Sequence, residues 1–463
     1  MSNKVTNVTV AATMRRRLPR RRTEAGLLVV GATVVVFATI LESIALTGAL
    51  PDHAVEFLIA LLVIGIAVQA VNRYFVPDAD PVIVPVALVL NGIGYVMIER
   101  GDATQAGQQV AWTGLGLLLY TAVLYTVRRS RDLERYRYLM LVAAFLLLIS
   151  PLVPGIGLKV NGARLWVHLS SLEFQPVEIA KLLLVIFFAS YFVDKRELLT
   201  VPTKRVGDRL LPDLRAFGPM AIAGVMALLI ILAEDDIGFS LILFLVFLTM
   251  IWVTTGRWTY VVIGLGAFVL AAFVASHALV QVNTRISDWI NPWADPTGRG
   301  FQPVQGELAF GRGGLFGTGI GFGLASNNNV LPVGSSDFIF AIIGEELGLV
   351  GALGVVFAFS VIVGAGLRAA RRARSEFARL CATGLTATLG LQAFLIMAGD
   401  TRLLPLTGVT LPFVAYGGSS LVANYALLAL LMRISNEGNQ LPESTAPSRS
   451  RIEDATTIGV GGR

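Results

Sequence analysis

The chain has 463 residues, of which 55% are hydrophobic and 15% charged, and its mean hydropathy is +0.70. An average soluble domain is about 25% charged. This composition therefore excludes a soluble enzyme and a disordered chain, and the single cysteine, Cys381, excludes a disulfide scaffold. The class that remains is a polytopic membrane protein.

Twelve segments are long and apolar enough to cross a bilayer as helices, which takes about 20 residues each. The predicted fold class is all-α, with about 12 transmembrane helices and a long structured loop on the outer side. Residues 1–24 and 436–463 are polar or basic and are predicted to be disordered tails around a membrane domain at 25–435. The predicted spans lie near 26–49, 54–74, 81–99, 110–127, 138–154, 176–194, 216–233, 238–255, 258–280, 347–367, 379–399 and 407–432.

Lysine and arginine are concentrated on one side of these spans. With the N-terminus in the cytoplasm, 29 of the 37 basic residues fall on the cytoplasmic side, which is the usual bias of membrane proteins. Both termini are therefore predicted to be cytoplasmic. The topology accounts for the net charge of +6, so no nucleic-acid partner is expected.

Two outer connections are long, at about 155–175 and 281–346, and loops of that length are functional or disordered. The second carries seven Trp and Phe residues, which predicts an ordered loop. Within it, Asp295-Pro296 predicts a turn that presents a carboxylate. The glycines at 311–323 match no phosphate-binding motif, so we interpret them as tight turns.

Three ordered blocks of sequence carry a resemblance to a known family. They are 161–181 with NGARLW and FQPVEIAK, 285–348 with RI, NPWADP, GFQPVQ, DFIF and GEELG, and 405–424 with PLTG, PF and YGGSS. This pattern resembles the SEDS family, the RodA, FtsW and SpoVE group, which polymerises peptidoglycan glycan strands from lipid II. The family core has ten spans, so 26–74 would be two additional N-terminal spans, as in the actinobacterial RodA branch.

The resemblance implies a glycosyl transfer in the bacterial cytoplasmic membrane that serves cell elongation and shape. A hydroxyl of an acceptor GlcNAc would attack a lipid-linked donor, with inversion and loss of undecaprenyl pyrophosphate. Such a reaction needs a general base and neutralisation of the leaving group. Asp295 matches the family's catalytic aspartate. We expect the loop's aromatic residues to bury it, because an ordinary aspartate, with a pKa near 3.9, is a poor base at neutral pH. The alternative is that Asp295-Pro296 only forms a turn.

Several residues are predicted to bind the substrate. Glu178 and Lys181 lie three positions apart within a span, where charged residues are usually functional, although a buried structural ion pair is the alternative. Arg164, Arg285 and Arg299 are candidates for phosphate contact, although each could be an ordinary loop arginine. The remaining predicted substrate-binding residues are Trp166, Gln175, Gln302 and Gln305.

The resemblance also implies a divalent cation and a partner. Mg²⁺ or Mn²⁺ would prefer oxygen ligands, and acidic residues are available at 234–236 and at Asp337, Glu345 and Glu346, but their spacing identifies no cage. Glu345 and Glu346 could equally orient a helix. The expected partners are lipid II, lipid-linked glycan, membrane lipids and a class B penicillin-binding protein, which is a transpeptidase. The alternative functions are a lipid II flippase, an FtsW-type division glycosyltransferase and a scaffold for other wall proteins.

Overall fold

The computed structural model of the protein is mostly helical. It describes residues 2–49, 54–160, 163–169, 172–197, 204–206, 209–211, 237–278, 280–326 and 330–440. Six of the described helices are long and apolar enough to cross a membrane, and three shorter apolar helices accompany them. The all-α, polytopic prediction is therefore confirmed.

The helices follow the predicted spans closely. Eleven of the twelve segments coincide with helices, and the segment 216–233 lies outside the described residues. The helices are α1 (Ser2–Thr47), α2 (Ala54–Phe75), α3 (Ile83–Gly101), α4 (Ala103–Thr126), α5 (Arg131–Arg135), α6 (Arg137–Ile149), α7 (Val177–Asp194), α8 (Ile237–Thr255), α9 (Trp258–Ala278), α10 (Val280–Ile290), α11 (Phe301–Gly313), α12 (Ile339–Glu346), α13 (Gly348–Arg372), α14 (Glu376–Asp400) and α15 (Gly418–Asn439).

The first and last helices differ from the predicted spans in where they begin. Helix α1 begins at Ser2 and continues directly into the first apolar span. The last helix begins at Gly418 rather than near 407, since Gly408 and Phe413 have positive φ values of 69° and 66° that a helix cannot accommodate. It ends at Asn439, and residues 441–463 lie outside the described part of the chain.

Small sheets were not predicted. The segment between α6 and α7 forms an antiparallel sheet of β1 (Gly157–Val160), β2 (Ala163–Leu169) and β3 (Leu172–Phe174), in that spatial order. A hairpin joins β4 (Lys204–Val206) to β5 (Arg209–Leu211). These strands are only three to seven residues long, which is too short for a sequence pattern to distinguish them from loops.

Helix α15 is the centre of the helical bundle. Its side chains are buried on every face from Gly418 to Asn436, and it packs against α3, α4, α7, α13 and α14. Asn91 on α3 donates hydrogen bonds of 2.9 Å to the Tyr425 hydroxyl on α15 and to Thr113 on α4. Polar bonds and close backbone approach, rather than hydrophobic burial, hold helices together within lipid.

Helix α14 is long enough to cross a membrane from one face to the other. Its 25 residues, at 1.5 Å per residue, span about 37 Å. This exceeds the roughly 30 Å of a bilayer's hydrocarbon core. Features at Glu376 and at Asp400 therefore lie near opposite membrane faces.

Close packing of α3 gives a test of this arrangement. A Cβ atom on Gly94 would lie 2.2 Å from the Val414 carbonyl oxygen, whereas one on Gly107 of α4 would meet nothing within 4 Å. We expect Gly94→Ala to cost roughly 1–3 kcal/mol and to lower the melting temperature of the purified protein by several degrees. Gly107→Ala is the matched control and should melt at the wild-type temperature or slightly above it, because alanine favours a helix more than glycine does. Equal melting of the two variants would contradict the packing described.

Candidate active site

Asp295 lies in a tight turn between α10 and α11. A short 3₁₀ turn, Pro292–Ala294, leads into it, and Pro292 is buried. The backbone N–H groups of Gly298 and Arg299 donate to the two carboxylate oxygens at 3.0 and 3.1 Å. A side chain at 298 would collide with that carboxylate, because its Cβ would lie 2.3 Å from Oδ2. The turn therefore fixes the direction of the carboxylate.

The burial expected for Asp295 is not observed. Its side chain is exposed, and Trp293 beside it is also half exposed. Other aromatic residues of the loop pack elsewhere. Phe310 packs edge-to-face against Phe340, and Phe338 is buried in the core. The prediction was wrong because the hydrogen-bonded turn, rather than an apolar cover, determines where the carboxylate lies.

A cavity of about 210 Å³ lies next to this turn. Its lining combines residues of α10 and α11 with the segment that follows α14. Three arginines line it, and a glutamine, two aspartates and a tryptophan accompany them. These residues are Arg285, Arg299, Arg402, Gln302, Asp288, Asp337 and Trp289. Arg299 connects Asp295 to the cavity. Its side chain belongs to the lining, and its backbone N–H donates to the Asp295 carboxylate.

Side-chain contacts fix two of the three arginines in place. Arg285 donates through Nη1 to the carbonyls of Thr407 and Leu406, at 2.9 and 3.3 Å. Arg402 pairs with Glu307 of α11 and accepts a 3.1 Å hydrogen bond on its carbonyl from the Trp289 indole. Since a guanidinium has five N–H donors, each arginine retains donors for an anionic ligand.

Glu307 also connects this network to the Asp295 turn. Its second carboxylate oxygen accepts a 3.1 Å hydrogen bond from the Trp293 indole, two residues before Asp295. The Glu307 carboxylate thus fixes the position of Arg402 relative to the Asp295 turn.

The backbone of Arg402 is itself unusual. Its φ is 57°, a conformation that is rare for a residue with a side chain and that clusters at functional sites.

Asp337 differs from the other acidic residues of the site. Burial raises the pKa of its carboxyl to about 6, while a hydrogen bond with Ser336 and the nearby Arg285 guanidinium act in the opposite direction. It therefore changes charge close to neutral pH. The cavity becomes more positive as Asp337 is protonated.

The structure brings only some of the predicted residues together. Arg285 and Gln302 line the cavity, and Gln305 lies one turn further along α11, half buried and outside the lining. Trp166 is half buried on β2, opposite Leu158. Arg164 is also on β2, but its side chain is outside the described part. Gln175 precedes α7, and its N–H donates to the Ser419 hydroxyl at 2.9 Å.

Glu178 and Lys181 form a buried ion pair in the first turns of α7, with 2.5 Å between Oε2 and Nζ. Lys181 also donates to Gln392 of α14 at 2.7 Å and lies 5.2 Å from the centre of the Phe239 ring. A void of about 10 Å³ lies beside Lys181. The pair is separate from the arginine-lined cavity.

The carboxylates of Glu345 and Glu346 are paired with arginines and accept backbone hydrogen bonds. Glu345 pairs with Arg312 at 2.5 Å and accepts a 2.7 Å hydrogen bond from the backbone of Ala325, while Glu346 pairs with Arg100. The glycine-rich segment wraps around them, as the interpretation of tight turns predicted. Among the described residues, no group of three His, Cys, Asp or Glu could hold a metal ion.

Arg402, Trp289 and Asp288 were missed as site residues, and Asp337 was considered only as a metal ligand. Arg402 follows α14 and lies more than a hundred residues from Arg285, so no local pattern connects them. The available signal was topological, since Arg402 belongs to the few basic residues left outside in the predicted orientation.

The fold and the site define a polytopic membrane protein with a fixed carboxylate beside an arginine-lined cavity at one membrane face. A comparison with known protein families gives a match over most of the chain. The family model described as "Cell cycle protein", which covers FtsW, RodA and SpoVE, matches residues 81–440. The chain belongs to this family.

Individual relatives agree with this assignment. The peptidoglycan glycosyltransferase RodA of Mycobacterium tuberculosis is 39% identical over 95% of this chain and 96% of its own length. The probable peptidoglycan glycosyltransferase FtsW of Geobacter sulfurreducens is 33% identical over 80% of this chain and 98% of its own length.

Two solved structures are similar in fold. The rod shape determining protein RodA of Thermus thermophilus has a TM-score of 0.56 at 25% identity, covering 78% of this chain and 98% of that one. A chain from a study described as "Structural coordination of polymerization and crosslinking by a peptidoglycan synthase complex" has a TM-score of 0.63 at 26% identity, with 78% and 99% covered.

The titration of Asp337 predicts how the cavity binds anions. Above its pKa of about 6 the carboxylate is charged and repels an anion, and below it the repulsion disappears. We expect Asp337→Asn to bind inorganic pyrophosphate roughly tenfold more tightly than wild type near pH 7.5. The two proteins should converge near pH 5.5. Calorimetric titration of both at each pH checks this, and equal affinities at the higher pH would contradict it.

The buried ion pair predicts an asymmetric mutational result. Lys181→Met leaves Glu178 charged and unpaired, which typically costs 3–5 kcal/mol, so the melting temperature should fall sharply. The double variant Glu178→Gln with Lys181→Met removes both charges and should recover most of the loss. A single variant as stable as wild type would show that the pair is not formed.

Proposed function

We propose that this protein polymerises lipid II into peptidoglycan strands at the outer face of the cytoplasmic membrane, in cell elongation. It is a peptidoglycan glycosyltransferase, and the mycobacterial RodA proteins that carry this name match nearly its whole length. The observation that carries the proposal is the fixed carboxylate of Asp295 beside a cavity with three arginines.

Asp295 and the three arginines would have different roles in the reaction. The acceptor GlcNAc hydroxyl forms a bond to the anomeric carbon of the donor as the bond to pyrophosphate breaks, which inverts that carbon. Asp295 accepts the proton of the hydroxyl, and two backbone N–H groups keep its oxygens directed. Arg285, Arg299 and Arg402 neutralise the pyrophosphate, which leaves without a proton.

The exposure of Asp295 is consistent with this role. An acceptor and a donor that are both attached to lipids approach from the membrane surface, so the base must be reachable before they bind. Bound saccharide and lipid would then exclude water, which strengthens the electrostatic contacts within the site. The substrates supply the apolar cover that the free protein lacks.

A divalent cation is part of the proposal only as an ion carried by the substrate. The described residues form no cage for one, and Glu345 and Glu346 are engaged with arginines. Mg²⁺ is commonly bound through one or two carboxylates and substrate phosphates. Asp288 and Asp337, which line the cavity, are the groups that could contact Mg²⁺ or Mn²⁺ there.

The orientation and the partner are further parts of the proposal. The distribution of basic residues supports cytoplasmic termini and an extracytoplasmic loop at 281–346. The similar chain from a peptidoglycan synthase complex, described by its coordination of polymerisation and crosslinking, supports a class B penicillin-binding protein as partner.

Lipid II translocation is the second candidate function. The buried Glu178–Lys181–Gln392 group within the spans would suit a substrate path. A flippase has no need of a base held at an outer turn, however. The FtsW relatives leave a role in division as a variant of the same chemistry.

Replacement of Asp295 tests the proposed base. We expect Asp295→Asn, reconstituted with a class B penicillin-binding protein, lipid II and Mg²⁺, to lose at least a hundredfold in glycan polymer measured on gels, because general-base catalysis contributes about 10²–10⁴-fold. Asp132→Asn, an exposed carboxylate on α5, is the matched control and should polymerise like wild type.

Two other outcomes are informative. Wild-type polymerisation by a folded Asp295→Asn protein would reject Asp295 as the base. Translocation of lipid II in vesicles without any polymer would favour the flippase.

A further inference from the structure

A second cavity lies at the other end of α14. It has a volume of about 860 Å³, between the C-terminal ends of α8 and α13 and the first two turns of α14. This volume lies within the range of small-molecule sites. Because α14 spans about 37 Å, this cavity and the candidate active site lie near opposite membrane faces.

The lining of this cavity is basic. Four arginines contribute to it: Arg196, Arg368, Arg371 and Arg379. The described lining contains no acidic residue, and Val253 and Leu367 add apolar surface. A basic opening with apolar walls is suited to a molecule that is anionic at one end and apolar beyond it.

Nearby carboxylates neutralise only part of this charge. Glu376 pairs with both Arg196 and Arg379, at 3.1 and 2.5 Å. Asp80 pairs with Arg368 at 3.2 Å. These pairs involve three of the four guanidiniums, and Arg371 takes part in none of the pairs among the described residues.

One arginine of the lining remains available for a ligand. Arg371 is exposed and forms no ion pair within the part of the chain that the structure describes. An anionic oxygen in the cavity would neutralise its guanidinium.

We propose that this cavity binds the phosphate headgroup of an anionic phospholipid from the adjacent leaflet. Basic pockets between membrane helices on the cytoplasmic side bind such headgroups, and the distribution of basic residues puts this end of α14 on that side. The apolar residues beside the arginines give the start of the acyl chains a surface that a free phosphate would not use. The site is independent of the proposed glycosyl transfer.

The test uses the full chain in nanodiscs of phosphatidylcholine with increasing phosphatidylglycerol. Bound lipid is counted by native mass spectrometry. Arg371 lines the cavity, so Arg371→Gln removes a charge that contacts the bound headgroup. A loss of about 1 kcal/mol should weaken phosphatidylglycerol binding in the cavity about fivefold. Arg368→Gln combined with Arg371→Gln should weaken it about 25-fold.

A double variant elsewhere controls for non-specific charge. Arg131→Gln with Arg135→Gln removes two exposed arginines on α5, outside the cavity, and should bind phosphatidylglycerol like the wild type. Equal losses in both double variants, or no loss at Arg371→Gln, would overturn the proposal. Inorganic phosphate is titrated in a separate arm. Binding of phosphate alone, sensitive to Arg371 but without bound phosphatidylglycerol, would identify a free-anion site and also overturn it.

Discussion

A bilayer's hydrocarbon core offers no hydrogen bonds to an ion or a peptide group, and the arrangement of charge in this protein depends on that constraint. Within the spans, Lys181 bonds to Glu178 and Gln392, and Arg433 donates to the carbonyls of Phe75 and Leu124. The basic residues that can reach water gather at the helix ends. Binding sites for anions therefore form at the two membrane faces rather than in the middle.

The same constraint explains why the candidate active site is built from loops on a rigid base. α15 is enclosed by other helices, and α14 beside it ends next to the cavity. The segment after α14 supplies Arg402 and the carbonyls that hold Arg285. Glu307 then joins Arg402 to the Asp295 turn through Trp293. A few polar bonds therefore hold the site residues against the buried helices of the bundle.

The two cavities use arginine differently. Around Asp295, arginines are anchored to carbonyls and to Glu307, which favours a defined geometry for a leaving group. At the other end of α14, two arginines share Glu376, and Arg371 forms no ion pair within the described residues. That arrangement favours charge attraction over precise orientation, as suits a lipid headgroup.

The sequence by itself determined the membrane class, eleven helix positions and the turn at Asp295, because apolar length, helix propensity and Asp-Pro chemistry are local properties. Residue blocks were also enough to indicate the family. Only the tertiary structure decided which charges meet. It placed Arg402 and Asp337 beside Arg285, kept Lys181 apart from them, and left Asp295 exposed. These outcomes depend on contacts between segments that are distant in sequence, such as those carrying Arg285 and Arg402. No local sequence pattern encodes such contacts.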